Sequence, residues 1–414
     1  MPGRRPGRDH PHRDAEEGNS AVKLGPTMEF DHIQPAIRKR FTSAADIPKE
    51  VFSDPDVYRE ELTRIFYGPY WHPIAHRAEL AERNAFRTRW LADVPLLMVR
   101  DGDDRIRVFV NSCAHRGTLL EQRRCGVAER FECPYHRWIF NNDGRFAGAP
   151  RRMQFRPDFR EEDYGLRELH VVEAWGLIFV SMAAQPPPFD DYLGDSADPL
   201  RDCMVDDGNL TLLGYQTVVF QSNWKTYIDN DPYHAPLLHS AFKLLNWQGG
   251  SGNVLVSKPY GHMSILYDAQ PYVDNGFLAD PSVVTRMGDD SRARVIALRP
   301  VTGIVRHVDT INIRYARPLG VDRTEVRYTF FGHASDSEDF ARHRVRQSSN
   351  LLGPSGFISI EDAAVYNRVQ ATARDGGYQR FVAGVGRPLS ESSQNDEVAN
   401  TGWWAHYQEV MEFC

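Results

Sequence analysis

Residues 111–138 read NSCAHRGTLLEQRRCGVAERFECPYHRW, and the rest of the chain is organised around them. Cys113 and His115 stand one residue apart, and Cys133 and His136 two apart. Each pair sits in its own short loop, so each loop offers one thiolate and one imidazole. Cys2His2 sets also bind zinc, but zinc fingers pair Cys with Cys and His with His along the chain. Mixed pairs instead suit a two-iron centre with two Cys on one iron and two His on the other.

The pattern C-x-H…C-x2-H, with Arg116-Gly117 after the first pair and Pro134-Tyr135 and Trp138 around the second, resembles the Rieske domain of non-haem iron oxygenases. The resemblance implies a [2Fe–2S] cluster held by Cys113, His115, Cys133 and His136. A structural zinc module is the competing reading.

The chain has 414 residues, enough for two or three domains. With 41% hydrophobic and 25% charged residues it reads as an ordinary globular protein, and a net charge of −7 gives no footprint for nucleic acid. No run of 18 apolar residues exists, so nothing is expected to span a membrane. The cysteines at 113, 125, 133, 203 and 414 form no evident disulfide framework and read as reduced thiols of a cytoplasmic protein. Residues 1–27, with RRPGR and HPHR, cannot bury a core, and Met28 is a plausible start.

Along the chain, DPDVYREELTRIFY (54–67) predicts a helix capped by Asp54. His72 and His76 read as structural histidines. FRTRWL, VPLLMVR and RIRVFVN predict strands, with a turn at Asp101–Asp104 and another at Asn141–Gly144. VVEAWGLIFVS (171–181) reads as one buried strand. The prolines at 186–188 mark a boundary. Beyond it, NLTLLGYQTVVF, IVRHVDTINIRYARP and RTEVRYTFFGH read as strands, and SEDFARHRVRQSSNLL and EDAAVYNRVQATA as helices. The expected fold is α+β. It comprises a segment 1–45, disordered or extended, a helix in 46–67 packing on the catalytic domain, an all-β Rieske domain over 68–182, and a helix-grip-like catalytic domain with an antiparallel sheet over 189–414.

A second constellation lies in NWKTYIDNDPYHAPLLH (223–239). A mononuclear iron(II) site takes two His and one carboxylate and leaves positions open. On a straight helix His234 and His239 would diverge by about 140°, so convergence needs a break, which Pro236 is expected to supply. The third ligand must come from elsewhere. In GPSGFISIEDAAVYNRVQ (353–370), Ser359 and Asp362 fit a capping box. Resemblance to the same family instead makes Asp362 the ligand, with Glu361 as rival. By that resemblance Asp231 bridges a cluster histidine of one subunit to His234 of its neighbour, although its spacing from Asn223 is shorter than in many relatives.

The resemblance spans roughly residues 46–414. It implies the large subunit of an aromatic-ring-hydroxylating dioxygenase with a Rieske [2Fe–2S] cluster and mononuclear Fe(II), converting an arene and O2 to a cis-dihydrodiol. No G-x-G-x-x-G follows a strand and no second iron–sulfur motif is present, so a separate reductase or ferredoxin is expected. A trimer of large subunits, alone or as α3β3, is implied. LLGPSGFISIEDAAV and YHAPLLH look most like subunits acting on aromatic carboxylates such as terephthalate, anthranilate or salicylate. There Arg314 would hold the carboxylate. Strand alternation places Arg314 with Arg306, Thr310 and Asn312 on a polar, solvated face. The tail offers no arginine for a second carboxylate, which favours a monocarboxylate. A Rieske monooxygenase, hydroxylating or demethylating, is the alternative enzyme; a Rieske electron-transfer protein is the non-enzyme alternative.

Overall fold

The computed structural model describes residues 35–204, 209–230, 232–245, 252–268, 271–288, 292–393 and 395–413. Most of the segment 1–45, with Met28, lies outside them. Its described end forms a helix, Pro35–Arg40, and buries Ile37 and Phe41, so residues 35–45 are not disordered.

The predicted helix at 54–67 is Pro55–Glu61 followed by a π-helical turn, Leu62–Phe66. Asp54 caps it, its carboxylate accepting from the N–H groups of Asp56 and Val57. Glu61 points inward at 0% exposure and accepts from Trp224 Nε1 at 2.8 Å, from Tyr407 and from the Lys225 ammonium. This carboxylate ties the helix to the segment that carries the second constellation.

From His72 to Ser181 the chain is built on strands. One sheet is ordered Ile106–Val110, Val94–Arg100, Ala85–Leu91, Cys125–Val127, and a second Arg130–Glu132, Ile139–Asn141, Phe146–Gly148. The expected turns at 101–104 and 141–144 join paired strands. VVEAWGLIFVS departs from the single-strand reading. It is a hairpin, His170–Ala174 against Leu177–Ser181, turning on Trp175 (φ 51°) and Gly176 (φ 79°). Two consecutive positive φ values match the twist of a two-residue hairpin turn. Strand His72–His76 adds to it. His72 and His76 are thus on a strand, fully buried, and burial lowers both to about 4, so they are neutral.

The carboxy-terminal half is built on seven antiparallel strands, ordered Leu210–Phe220, Arg323–His333, Thr310–Gly320, Thr302–His307, Arg292–Leu298, His262–Asp268, Gly252–Ser257. IVRHVDTINIRYARP is therefore two strands around a tight turn at Val308 (φ 51°) and Asp309. The turn sets the register His307↔Thr310 and Val305↔Asn312, which puts Arg306 opposite Ile311. Arg306 consequently lies on the other face from Arg314, since counting by twos fails across a turn. Nor is Arg314's face solvated: Thr310 and Asn312 are 0% exposed. On that face Ile265 pairs with Val295, and Val295 with Val305. The helix Ser359–Ala371 packs on the sheet through Tyr366, whose ring lies 5.2 Å from Phe220 and 5.6 Å from Tyr227.

Candidate metal centres

The two Cys–His loops fold alike. In the first, Cys113 N–H donates to Thr118 O and Gly117 N–H to Cys113 O, both at 2.8 Å. In the second, Cys133 N–H donates to Trp138 O at 2.8 Å and Arg137 N–H to Cys133 O at 3.1 Å. The residue four after each cysteine has positive φ, Gly117 at 71° and Arg137 at 59°. Glycine adopts this freely and arginine does not, so sequence marks the first loop and hides the second.

The loops bury Cys113 and Cys133 at 3% and 1% and turn His115 outward, with His136 half-buried. The imidazole centroids are 4.7 Å apart. Trp138 stacks on His115 at 4.6 Å, and Tyr135 lies tilted against His136 at 3.7 Å. Burial, with Cys133 as hydrogen-bond partner, pushes the Cys113 thiol up. Two thiols inside and two imidazoles outside fit a cluster with one iron on each pair. Cys125 lies apart, exposed on a strand beside Arg87.

The second constellation also converges. Pro232–His234 is a 3-10 turn and Ala235–Leu238 a single helical turn. The break lies at His239, whose backbone is extended (φ −71°, ψ 111°), before a new turn Ser240–Leu244. Pro236 begins the helical turn and does not interrupt it, contrary to the role expected for it. The outcome is a 3.1 Å separation of His234 Nε2 and His239 Nε2. Asp362 Oδ1 approaches them at 3.2 and 3.6 Å. One donor atom from each residue lies within 4.8 Å of the others.

The capping-box reading fails here. Ser359 is inside its helix and donates to Leu352 O at 3.2 Å, while the N-cap position is Ile358. Asp362 is 6% exposed and its Oδ1 has no hydrogen-bond partner among the described residues. A buried acceptor without a donor is costly unless a cation meets it. Glu361 faces elsewhere: it accepts from Ser240 N–H at 2.8 Å and Ser240 Oγ at 2.6 Å, and lies 3.5 Å from His239 Nδ1. It stands behind His239, not beside Asp362. Burial lowers the His239 pKa, leaving a neutral imidazole that can donate a lone pair. The donor set fits a divalent transition metal with open positions. Asp231 lies outside the described residues.

Beside these three residues opens a cavity of about 170 Å³. Phe242, Met263, Ile265, Val295, Val305 and Leu352 make its walls apolar; Asn230, His307 and Arg314 add polar groups. Arg314 donates to Asn312 Oδ1 and Leu352 O and lies over its cross-strand neighbour Tyr328 at 5.1 Å. Among the described residues no carboxylate comes within ion-pair distance of it. Asn230, Phe242 and His307 escaped the sequence reading, because only the strand register and the break at His239 bring them to the cavity.

The amino-terminal half matches the Rieske [2Fe-2S] domain over residues 70–164, and the remainder matches the catalytic domain of the ring hydroxylating alpha subunit over residues 195–412. This chain belongs to the ring-hydroxylating oxygenase alpha subunits. It carries the [2Fe–2S] domain and the catalytic domain that houses mononuclear iron. It is 32% identical to the anthranilate 1,2-dioxygenase large subunit of Burkholderia cepacia over 89% of this chain and 93% of that one. It is 29% identical to subunit alpha 2 of the terephthalate 1,2-dioxygenase terminal oxygenase of Comamonas sp, over 88% and 95%. Naphthalene 1,2-dioxygenase from Rhodococcus sp. bound to indole shares the fold, with a TM-score of 0.80, 22% identity, and coverage of 92% of this chain and 98% of that one. Among the described residues no helix is long and apolar enough to cross a membrane.

Proposed function

We propose that this oxygenase subunit dihydroxylates a single-ring aromatic carboxylate, with His234, His239 and Asp362 holding the mononuclear iron and Arg314 the substrate's carboxylate. The observation that carries this reading is Arg314 itself: a guanidinium in the wall of an apolar cavity, beside the three converging donors, with no acid partner within ion-pair distance among the described residues. A charge so placed calls for an anion, and a guanidinium fork suits a carboxylate. An apolar cavity near 150 Å³ admits one benzene ring, so about 170 Å³ favours one ring over several. The anthranilate and terephthalate enzymes act in name on such acids.

When bound, the cluster supplies one-electron transfer and the iron supplies dioxygen activation. The chain's residues do the rest. Phe242, Ile265, Val295 and Val305 hold the ring and exclude water. Arg314 orients it through the carboxylate. Glu361 orients His239 from behind. His115 and His136 turn an edge outward, which suits electron passage to a neighbouring subunit through Asp231, and hence a trimer or α3β3 assembly. Electrons come from a separate reductase or ferredoxin.

Metal and acid-labile sulfide on anaerobically purified protein test this first. About three irons to two sulfides is expected, falling to two irons to two sulfides in Asp362→Ala. Two irons to two sulfides in the unaltered protein, persisting after added iron(II), would remove the mononuclear site and leave an electron carrier. Oxygen uptake with benzoate, anthranilate and salicylate then tests the substrate class. Two labelled oxygen atoms in a diol separate dioxygenation from the monooxygenase alternative.

A further inference from the structure

The segment that delivers His234 is held from an unexpected direction. The helix Trp224–Ile228 ends at Asp229. The Asn400 side-chain amide donates to the Asp229 carbonyl at 2.7 Å and to its carboxylate at 2.8 Å. Trp404 Nε1 donates to the same carboxylate oxygen at 2.9 Å. One residue earlier, the Arg299 guanidinium donates to Ile228 O and lies over Trp403 at 5.7 Å. Asn400, Trp403, Trp404 and Arg299 are each 1% exposed or less. Asn400, Trp403 and Trp404 all belong to the C-terminal helix Val398–Val410. Carbonyls at a helix end need partners from outside the helix, and here that distant helix and Arg299 provide them.

We propose that Asn400 and Trp404 are positioning residues for the mononuclear metal centre, acting through Asp229. This rests on the reading that His234, His239 and Asp362 hold that metal. Two arguments support the coupling. The tether from Asp229 to His234 is short: its last three residues, Pro232–His234, form a 3-10 turn that begins at a proline, and a second proline follows at 236. A displacement at Asp229 therefore reaches His234 with little slack. Second, packing alone would need only apolar side chains here. Two N–H donors aimed at one buried carboxylate oxygen fix direction as well as position. Groups hydrogen-bonded directly to a metal ligand change metal affinity by about 10–100-fold when removed, which is the ceiling for a hold that reaches His234 through Asp229.

The test uses full-length protein with its cluster intact and its mononuclear metal removed, titrated with Co(II) and followed by the cobalt d–d bands. The variants are Trp404→Phe, which removes the indole N–H, and Asn400→Ser, which shortens the amide donor. Gln408→Leu is the control: it breaks the bond from Gln408 Nε2 to Phe41 O on the same helix and does not touch Asp229. The Rieske absorption reports an intact chain in every case. The expected result is a Co(II) Kd raised in both Trp404→Phe and Asn400→Ser, by up to about 10–100-fold, with Gln408→Leu unchanged and cluster absorption constant. If either variant does not fold, the other decides. An unchanged Kd in a folded variant overturns the proposal, and so does an equal loss in Gln408→Leu, which would make the effect one of helix packing. If unaltered protein binds no Co(II), the metal-site reading itself fails, an outcome separable from failure of the latch.

Discussion

Acid should unfold this protein through its histidines well before its carboxylates protonate. Burial lowers His72, His76, His307 and His406 to about 4 and His262 to about 3. Each is less than a tenth exposed. Their bonds suit the neutral ring: His262 Nδ1 accepts from Arg299 N–H, so its Nε2–H donates to Tyr192 O, and His76 Nδ1 accepts from Ala78 N–H. In the unfolded chain each titrates near 6.5. Between about pH 6.5 and 4 the unfolded state thus binds protons that the folded state refuses, so stability falls as pH falls. From pH 7.5 to 5.5 each histidine costs about 1.3 kcal/mol, and the five together roughly 6–7 kcal/mol. A domain's whole stability is about 5–15 kcal/mol. Urea unfolding at fixed ionic strength, followed by tryptophan fluorescence, measures the loss directly. His406→Gln, which keeps a hydrogen-bonding group beside Tyr70, should recover about 1.3 kcal/mol of it. An unfolding free energy that shifts by less than about 2 kcal/mol over this interval would refute the reasoning.

Arg314→Gln should raise KM for an aromatic acid about 10- to 100-fold, the worth of one charge-assisted bond, and Arg314→Lys should not restore it, because the stack on Tyr328 needs a planar cation; steady-state oxygen uptake reads both, and an unchanged KM would end the role of Arg314. Glu61→Leu strands the Lys225 ammonium at 0% exposure and should cost about 3–5 kcal/mol; adding Lys225→Met should return most of it, as urea midpoints will reveal. Gly176→Ala puts a Cβ 2.2 Å from His76 Nε2 at φ 79° and should cost about 2–4 kcal/mol, seen as a lower Tm.

The two Cys–His loops were legible in sequence because each is local: residue type and spacing within a few positions state a candidate donor set. His234 and His239 were nearly as legible, although the cause of their convergence was misread. Pro236 drew attention as a breaker, while the chain actually turns at His239, a residue with no conformational signature of its own. Asp362 sat between two readings until the structure moved Ser359 inside the helix and removed the cap. Where sequence misled, a turn had reset the register. Arg306 changed face across Val308–Asp309, and VVEAWGLIFVS hid a hairpin because Trp175 gives no hint of a positive φ. The hold on Asp229 was not legible at all. Its donors lie some 170 positions away in sequence, and Asn400 and Trp404 look like any helix residues until the fold brings them together.

One wall of the cavity is a row of cross-strand neighbours, Ile265, Val295 and Val305, each on a different strand of one sheet. Strand pairing is carried by backbone, and side chains on one face can change without altering it. The candidate metal donors come from a 3-10 turn, the break at His239 and a helix. That wall and the candidate ligands thereby sit on different elements of the polypeptide. An exchange such as Val295→Ala would enlarge the cavity without altering His234, His239 or Asp362, so the space beside the three donors can change while the donor set stays whole.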